Sequence, residues 1–246
     1  MSITSPEEFE GLRAAGKVVR LMMEAMKQHV CARVTTAELD DIGACVMREH
    51  GARSAPWLVY GFPGTSCISV NEEAVHGIPS GRKLRDGDLV KLDVTVEKDG
   101  LMADAAETVA VGEAPRESLR LLACAERAFA KAASVARAGT CVREIGGVVE
   151  REVRANGFSV IRELGGHGIG RAIHEAPSVP NFADRAANQI LTAGLVITIE
   201  PIIAAGSGRV VLGRDGWMFR TADLRPSAHY EHTLVITDGE PILLTA

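Results

Sequence analysis

The sequence predicts an α+β protein made of two related halves that fold together. The predicted elements run helix, helix and strands, and the second half repeats this order. No linker rich in proline or serine and no run of like charges separates the halves, although no residue-level repeat relates them. We therefore expect residues 1–246 to form a single domain that includes a short N-terminal helical segment, residues 1–30.

Two helices are predicted at the start of the first half. Ser5 is followed by a proline and two glutamates, which is typical of a helix start, and the apolar spacing continues to about His29. Thr35 and Glu38 form a capping box for a second helix, which ends before Gly51.

The second half begins with two further helices. Residues 115–138 are predicted to form a helix that ends at Gly139, and Thr140 caps another that ends at an Asn-Gly pair.

In the first half, residues 57–66 are expected to form a loop because they are rich in aromatic, proline and glycine residues. Outside the hairpin described next, strands are expected at residues 67–70, 158–162, 195–200 and 231–237.

A β-hairpin is predicted to place two carboxylates on one face of the sheet. Residues 89–96 alternate between apolar and polar side chains, so Asp93 faces away from the core. The Asp-Gly pair at 99–100 is typical of a two-residue turn, which would place Thr95 opposite Asp104. Asp93 and Asp104 are then diagonal neighbours with Cα atoms about 7–8 Å apart, which could hold two ions about 3.5–4 Å apart. A three-residue loop would instead turn Asp104 to the other face.

The composition excludes several classes of protein. A hydrophobic content of 46% in 246 residues is enough for a buried core. The net charge of −5 and the lack of a basic block argue against a nucleic-acid groove or a membrane-surface patch. Residues 1–9 lack the features of a signal peptide, so we expect a cytoplasmic protein. The five cysteines are odd in number and form no Cys-x-x-Cys pair, which favours reduced thiols over a disulfide framework or a zinc ribbon.

Other catalytic and ligand-binding motifs are weak or absent. The glycine-rich segment around His167 differs from a nucleotide-binding loop because Arg171 occupies the final glycine position, and no Walker motif is present. Glycines beside His167 instead allow the backbone to approach a ligand closely. There is no Gly-x-Ser-x-Gly elbow. The apolar neighbours of Cys67 favour a buried thiol, and we expect His229 and His232 to be structural rather than catalytic.

Six segments of the sequence together resemble the type I methionine aminopeptidases. They occur in the family's order over nearly the whole chain, without a long N-terminal extension or a large insertion. The segments are Ser66–Asn71, Val75–Pro79, Asp86–Thr95, Gly166–Gly170, Ile199–Pro201 and Tyr230–Thr233. This resemblance implies the pita-bread fold, in which two pseudo-symmetric halves share a curved antiparallel sheet with helices on its outer face.

The resemblance also implies a metal-dependent aminopeptidase that removes the initiator methionine from nascent chains and prefers a small second residue. Two divalent ions, drawn from cobalt, manganese, iron, zinc or nickel, would be held by five ligands: Asp93, Asp104, His167, Glu200 and Glu231. Asp104 and Glu231 would bridge the ions, and Glu200 would act as a general base and then as an acid. His174 would donate to the carbonyl oxygen, and His76 would contact the scissile amide nitrogen or the following residue.

The predicted methionine pocket departs from the family's pattern. Phe62, Cys67 and Trp217 match positions that line this pocket. Val59 stands where an aromatic residue is common, and Ile173 replaces a phenylalanine. Replacing rings by aliphatic chains removes sulfur–aromatic contacts worth about 0.3–1.5 kcal/mol each. We therefore expect methionine recognition to be the property that differs most from the family.

Two alternatives stay open. An enzyme similar to the proline dipeptidases would keep the fold and the metals but change the substrate, and a binding paralogue would keep the fold without catalysis. The short N-terminus argues against the first, and the complete set of ligands and auxiliary histidines argues against the second. We expect a peptide substrate with a free amine, no nucleic-acid or membrane partner and a monomeric protein, while docking at a ribosome is left open.

Overall fold

The computed structural model describes all residues, 1–246, as helices packed on a large antiparallel sheet. The helices are α1 (Pro6–Gln28), α2 (Thr36–Glu49), α3 (Ala55–Tyr60), α4 (Arg116–Val135) and α5 (Val142–Ala155). The strands are β1 (Arg53–Ser54), β2 (Cys67–Val70), β3 (Glu73–Val75), β4 (Leu89–Lys98), β5 (Leu101–Ala110), β6 (Ser159–Val160), β7 (Gly165–Gly168), β8 (Glu175–Pro180), β9 (Val196–Ile199), β10 (Ile202–Ala204), β11 (Val210–Leu212), β12 (Phe219–Thr221), β13 (Ser227–Val235) and β14 (Ile242–Leu243).

The first two helices begin where the capping signals predict. The Oγ atom of Ser5 accepts a hydrogen bond from the backbone N–H of Glu8. Thr35 and Glu38 form the predicted capping box of α2. These bonds satisfy backbone N–H groups that have no partner within the first turn of a helix.

Three local predictions about the helices are wrong. α3 replaces part of the expected loop, because Ser54 caps its first turn and Gly61 ends it in a left-handed conformation with φ of 69°. α4 ends earlier than predicted, at Val135, and Cys141 rather than Thr140 occupies the N-cap of α5. The hydroxyl of Thr140 instead donates a hydrogen bond to the carbonyl oxygen of Val135, so this side chain closes the end of α4.

The predicted hairpin is confirmed in both its turn and its register. β4 and β5 are joined by the two residues 99–100, and Thr95 pairs with Asp104. Both turn residues have positive φ angles, 51° and 86°, which suit a type I′ turn whose twist matches that of the flanking strands. Asp93 and Asp104 consequently line the same cavity.

One eleven-stranded antiparallel sheet runs through both halves. Its order is β1-β4-β5-β13-β9-β7-β8, and β2, β6, β10 and β14 attach to this path. α1 packs against β4 and β5 with α2 beside it, while α4 packs against β13 and β9 and α5 packs against α4, β8 and β6. Each half therefore has its own apolar core on the shared sheet. The α+β prediction is therefore confirmed. No helix combines the length and the apolar character needed to cross a membrane.

β7 lies outside the predicted strands, because its residues have little intrinsic preference for a strand. Its glycines are needed for close packing. A Cβ atom on Gly166 would clash with the backbone carbonyl of Thr198 in β9, and one on Gly168 would clash with that of Ala176 in β8. The absence of these side chains lets β7 fit between its neighbours, and His167 lines the same cavity as Asp93 and Asp104.

Replacing Gly166 by alanine should destabilise the protein by about 1–3 kcal/mol, because the added methyl group forces β7 away from β9. Urea-induced unfolding would measure the change. Gly81→Ala is the matched control, since a Cβ atom there meets open space. Equal stability of the two variants would contradict the close-packing explanation.

Candidate metal centre and active site

The five predicted ligands come from five consecutive strands of the sheet. β4, β5, β13, β9 and β7 lie in this order, and each contributes one ligand within the strand or directly after it. In the same order, the ligands are Asp93, Asp104, Glu231, Glu200 and His167. All five line one cavity with a volume of about 220 Å³. The sheet thus gathers groups that lie far apart in the sequence, and it holds them on rigid backbone.

Two overlapping groups of side chains in this cavity have the spacing of metal ligands. The ligand atoms of Asp104, His167 and Glu231 lie within 4.8 Å of one another. The same limit holds for Glu200, His229 and Glu231. Glu231 belongs to both groups, so its carboxylate lies between two possible ion positions.

The carboxyl groups of the site are crowded and poorly neutralised. Burial and the nearby Glu231 and Asp93 raise the pKa of Asp104 well above its usual value. Burial and Glu200 raise the pKa of Glu231 to about 7, and burial also raises that of Asp93. Oδ1 of Asp104 and Oε1 of Glu231 are buried without a hydrogen-bond partner. Since divalent ions bind carboxylate oxygens and remove this repulsion, the residues fit a metal centre.

His167 is held in the orientation of a metal ligand. Its Nδ1 atom lies 2.9 Å from the carbonyl oxygen of Gly168, and its backbone N–H donates to the hydroxyl of Thr198. A carbonyl oxygen only accepts hydrogen bonds, so Nδ1 carries a hydrogen, and Nε2 is the ring atom left to face the site. Nε2 lies 3.6 Å from Oε1 of Glu200.

Glu200 differs from the other carboxylates because two imidazoles face it. Burial raises its pKa, but the contacts with His229 and His167 lower it more, so the net pKa lies below the usual value. Nε2 of each histidine lies 3.6 Å from one of its two oxygens. The backbone carbonyl of Glu200 accepts a hydrogen bond from the side chain of Asn181. Glu200 is therefore a fixed and ionised carboxylate.

The two auxiliary histidines also lie in the wall of the cavity. His174 meets His167 edge-to-face, with ring centroids 4.4 Å apart, and burial with the neighbouring His167 lowers its pKa to about 4. Its ring is consequently neutral near pH 7. His76 has a left-handed backbone, with φ of 58°, and packs edge-on against Phe219. Both residues line the same cavity as the carboxylates.

The apolar part of the cavity contains four of the five predicted pocket residues. Phe62 and Trp217 meet edge-to-face with ring centroids 5.3 Å apart, and Cys67 and Ile173 complete this wall. The exception is Val59, which the structure does not bring into this wall. It is 47% exposed and lies outside the cavity, because the helical backbone of α3 turns it toward solvent.

Tyr60, the neighbour of Val59 on α3, lines the cavity in its place. An aromatic ring is therefore present at this edge of the site, although one position later than expected. Cys67 is buried, and burial together with Asp93 raises the pKa of its thiol well above the usual value. Its interpretation as a buried thiol is confirmed.

His229 is the site residue that sequence analysis missed. It is 2% exposed, and its Nε2 atom lies 3.3 Å from Oε2 of Glu231 and 3.6 Å from Oε2 of Glu200. Burial lowers its pKa, but the two carboxylates raise it to a net value of about 10. The sequence predicts this strand only from residue 231, whereas β13 begins at Ser227. A strand that includes residue 229 would have indicated the site, since residues 229 and 231 share one face of a strand.

His232 occupies the opposite face of β13. Its Nδ1 atom lies 2.8 Å from the hydroxyl of Thr245, and its ring packs against Phe129. Burial and the nearby Lys27 lower its pKa to about 4. The structural role expected for this histidine is confirmed.

The chain is similar to known proteins over its whole length. A sequence model of metallopeptidase family M24 matches residues 10–238. Methionine aminopeptidase 2 of Bacillus subtilis is 44% identical over 247 residues, which cover 100% of this chain and 99% of the relative. The methionine aminopeptidase of Escherichia coli K12 is 40% identical over 247 residues, which cover 100% of this chain and 94% of the relative.

Solved structures show the same fold. The methionine aminopeptidase of Rickettsia prowazekii superposes with a TM-score of 0.95 and 34% identity, and each chain is covered completely. The prolidase of Pyrococcus furiosus superposes with a TM-score of 0.79 and 21% identity over 99% of this chain and 65% of that one. The latter likeness concerns the fold alone. The pita-bread architecture expected from the sequence is confirmed.

Replacing His229 by leucine should weaken the binding of divalent ions by about 10–100-fold, because the carboxylates of Glu200 and Glu231 lose the ring that holds them in place. Isothermal titration of the metal-free protein with Mn²⁺ would measure the affinity. His229→Gln is the matched control, since its amide can still donate an N–H to the carboxylates. Unchanged affinity in the leucine variant would contradict this role.

Proposed function

Since this chain belongs to metallopeptidase family M24, we propose that it is a methionine aminopeptidase, which removes the N-terminal methionine from peptides and nascent proteins. One structural observation carries this proposal. Five consecutive strands each supply one metal-binding side chain to a single cavity, and two histidines line the wall of the same cavity. The relatives with this function match the chain over nearly their whole length at 40–44% identity. In this proposal residues 1–246 act as one catalytic domain.

Two divalent ions are proposed to bind in the cavity. They would be held by Asp93, Asp104, His167, Glu200 and Glu231, with Asp104 and Glu231 shared between them. When bound, such ions would lower the pKa of a water toward neutrality and polarise the scissile carbonyl. Four carboxylates and one imidazole suit manganese or iron, and cobalt, zinc and nickel are the other candidates.

Glu200 is proposed to move the proton of the attacking water. Its lowered pKa keeps it ionised at neutral pH, so it can accept a proton. The bond between Asn181 and its backbone carbonyl fixes where the side chain begins. Once protonated, the same carboxyl group can return the proton to the amine that leaves when the peptide bond breaks.

The two auxiliary histidines are proposed to bind the reacting amide. His174 is neutral at working pH and would donate an N–H to the carbonyl oxygen as that oxygen gains charge. His76 would contact the scissile amide nitrogen or the residue that follows it. Both groups would act on the substrate from the wall of the cavity that the carboxylates also line.

Substrate selection is proposed to depend on the apolar wall. Phe62, Trp217, Cys67 and Ile173 would enclose the methionine side chain, and each sulfur–aromatic contact would contribute about 0.3–1.5 kcal/mol. The substrate would carry a free N-terminal amine and a small second residue. The expected monomeric state, cytoplasmic location and absence of nucleic-acid or membrane partners stay predictions, and so does any docking at a ribosome.

The metal-free protein, supplied with Co²⁺, Mn²⁺ or Fe²⁺, should release methionine from Met-Gly and Met-Ala peptides. Glu200→Gln should lower kcat by roughly 10²–10⁴-fold, because the amide cannot accept the proton of water. Mass spectrometry of the digested peptides would measure the release. Glu97→Gln is the matched control, because this buried carboxylate on β4 pairs with Arg53 away from the cavity.

Two results would contradict the proposal in different ways. If no divalent ion supports the release of any residue, the chain is a binding protein on this fold. If the enzyme cleaves Xaa-Pro dipeptides and leaves Met-Ala intact, it acts like the proline dipeptidases. A library of peptides with varied first and second residues distinguishes these results in one digestion.

A further inference from the structure

Tyr60 makes a direct contact with one of the proposed catalytic histidines. Its hydroxyl lies 2.7 Å from Nδ1 of His174, and the two ring centroids are 5.9 Å apart. Both residues line the cavity. The structure gives the imidazole of His174 no other hydrogen bond, so Tyr60 is its sole polar anchor.

The chemistry of the two groups determines which of them donates. A neutral imidazole carries one hydrogen and one strong acceptor nitrogen, whereas a phenol is a good donor and a weak acceptor. The favoured arrangement therefore has the hydroxyl of Tyr60 donating to Nδ1 of His174. The ring hydrogen of His174 then resides on Nε2, the nitrogen that no protein group engages.

We propose that Tyr60 is a positioning residue that fixes the tautomer and the orientation of His174, so that its Nε2–H is presented to the carbonyl oxygen of the substrate. This inference rests on the proposed function, because it assigns a partner to the histidine that would stabilise the developing oxyanion. Without Tyr60 the hydrogen could reside on either nitrogen, and the ring could rotate. In a fraction of the molecules, Nε2 of His174 would then carry a lone pair instead of a hydrogen. It could not donate to the carbonyl oxygen of the substrate, which only accepts hydrogen bonds.

The fold holds Tyr60 at this position through the anchors of α3. At the start of the helix, Ser54 accepts a hydrogen bond from the N–H of Trp57 and donates one to the carbonyl of Thr65. Gly61 ends the helix directly after Tyr60. Tyr60 is 48% exposed although it lines the cavity, so it lies at the cavity entrance. The hydroxyl is therefore placed by a capped helix rather than by burial.

Asp40 on α2 ties down the segment that follows α3. Its carboxylate accepts hydrogen bonds from the backbone N–H groups of Thr65 and Ser66 and from the hydroxyl of Ser66. The segment that carries Tyr60 is thus fixed at both ends. Such support is what a residue needs in order to orient another side chain within a few tenths of an ångström.

The alternative is that the Tyr60 ring serves only as part of the cavity wall. Tyr60→Phe separates the two roles, because it removes the hydroxyl and keeps the ring. We expect this variant to lower kcat about tenfold while KM changes less than twofold, since the hydroxyl acts on the transition state through His174. Trp57→Phe is the matched control, because it changes an exposed aromatic side chain on the same helix.

A double-mutant cycle tests whether the hydroxyl acts through the histidine. In a His174→Ala background, Tyr60→Phe should have no further effect on kcat. ¹⁵N chemical shifts of the zinc-loaded protein report the tautomer independently of turnover. The wild-type ring should carry its hydrogen on Nε2, and the Tyr60→Phe ring should populate both tautomers.

The possible failures are distinguishable. An active enzyme in which Tyr60→Phe keeps the wild-type kcat overturns this inference alone, and so does an Nδ1–H tautomer in the wild-type protein. A further loss of kcat on adding Tyr60→Phe to His174→Ala overturns it as well. If the wild-type protein releases no methionine with any metal, the proposed function fails instead.

Discussion

The organisation of this protein depends on one electrostatic constraint, the crowding of carboxylates at the centre of the sheet. Asp104 and Glu231 are buried, each has an oxygen without a hydrogen-bond partner, and each has a raised pKa. Such an arrangement is costly unless positive charge is supplied. His229 supplies part of it from the protein, and divalent ions are proposed to supply the rest. The surrounding strands must therefore be rigid enough to prevent the carboxylates from moving apart.

The sheet meets this demand through register and close packing. The two-residue turn 99–100 sets the register of β4 and β5, so the positions of Asp93 and Asp104 follow from the geometry of one hairpin. Glycines in β7 allow it to lie close to β8 and β9, which brings His167 to the same cavity. The helices cover the sheet as two pairs, with one apolar core in each half. The proposed metal ligands thus lie on strands or directly after them, and Tyr60 of α3 lines the same cavity.

Those features whose signals are local could be predicted from the sequence. The helix caps at Ser5 and Thr35, the Asp-Gly turn and the alternation in β4 each depend on a few adjacent residues, and the structure confirms them. β7 could not be predicted in this way, because its glycines are explained only by the backbone carbonyls of strands far away in the sequence. α3 was predicted as a loop because its residues are aromatic and proline-rich, and Ser54 was not recognised as its N-cap. The sequence likewise could not show whether Val59 or Tyr60 lines the cavity, since a predicted loop gives no basis for deciding which of two adjacent side chains faces inward.

The distribution of the ligands between the halves has a consequence for how the molecule comes apart. Asp93 and Asp104 precede α4, whereas His167, Glu200 and Glu231 follow α5, so neither half contains a complete set of ligands. An ion bound by both sets acts as a cross-link across the junction of β5 and β13. Opening of one half would have to break coordination bonds as well as strand pairing, and the two halves become one cooperative unit. A chain cut by a protease between β5 and α4 could then remain assembled for as long as its metals stay bound.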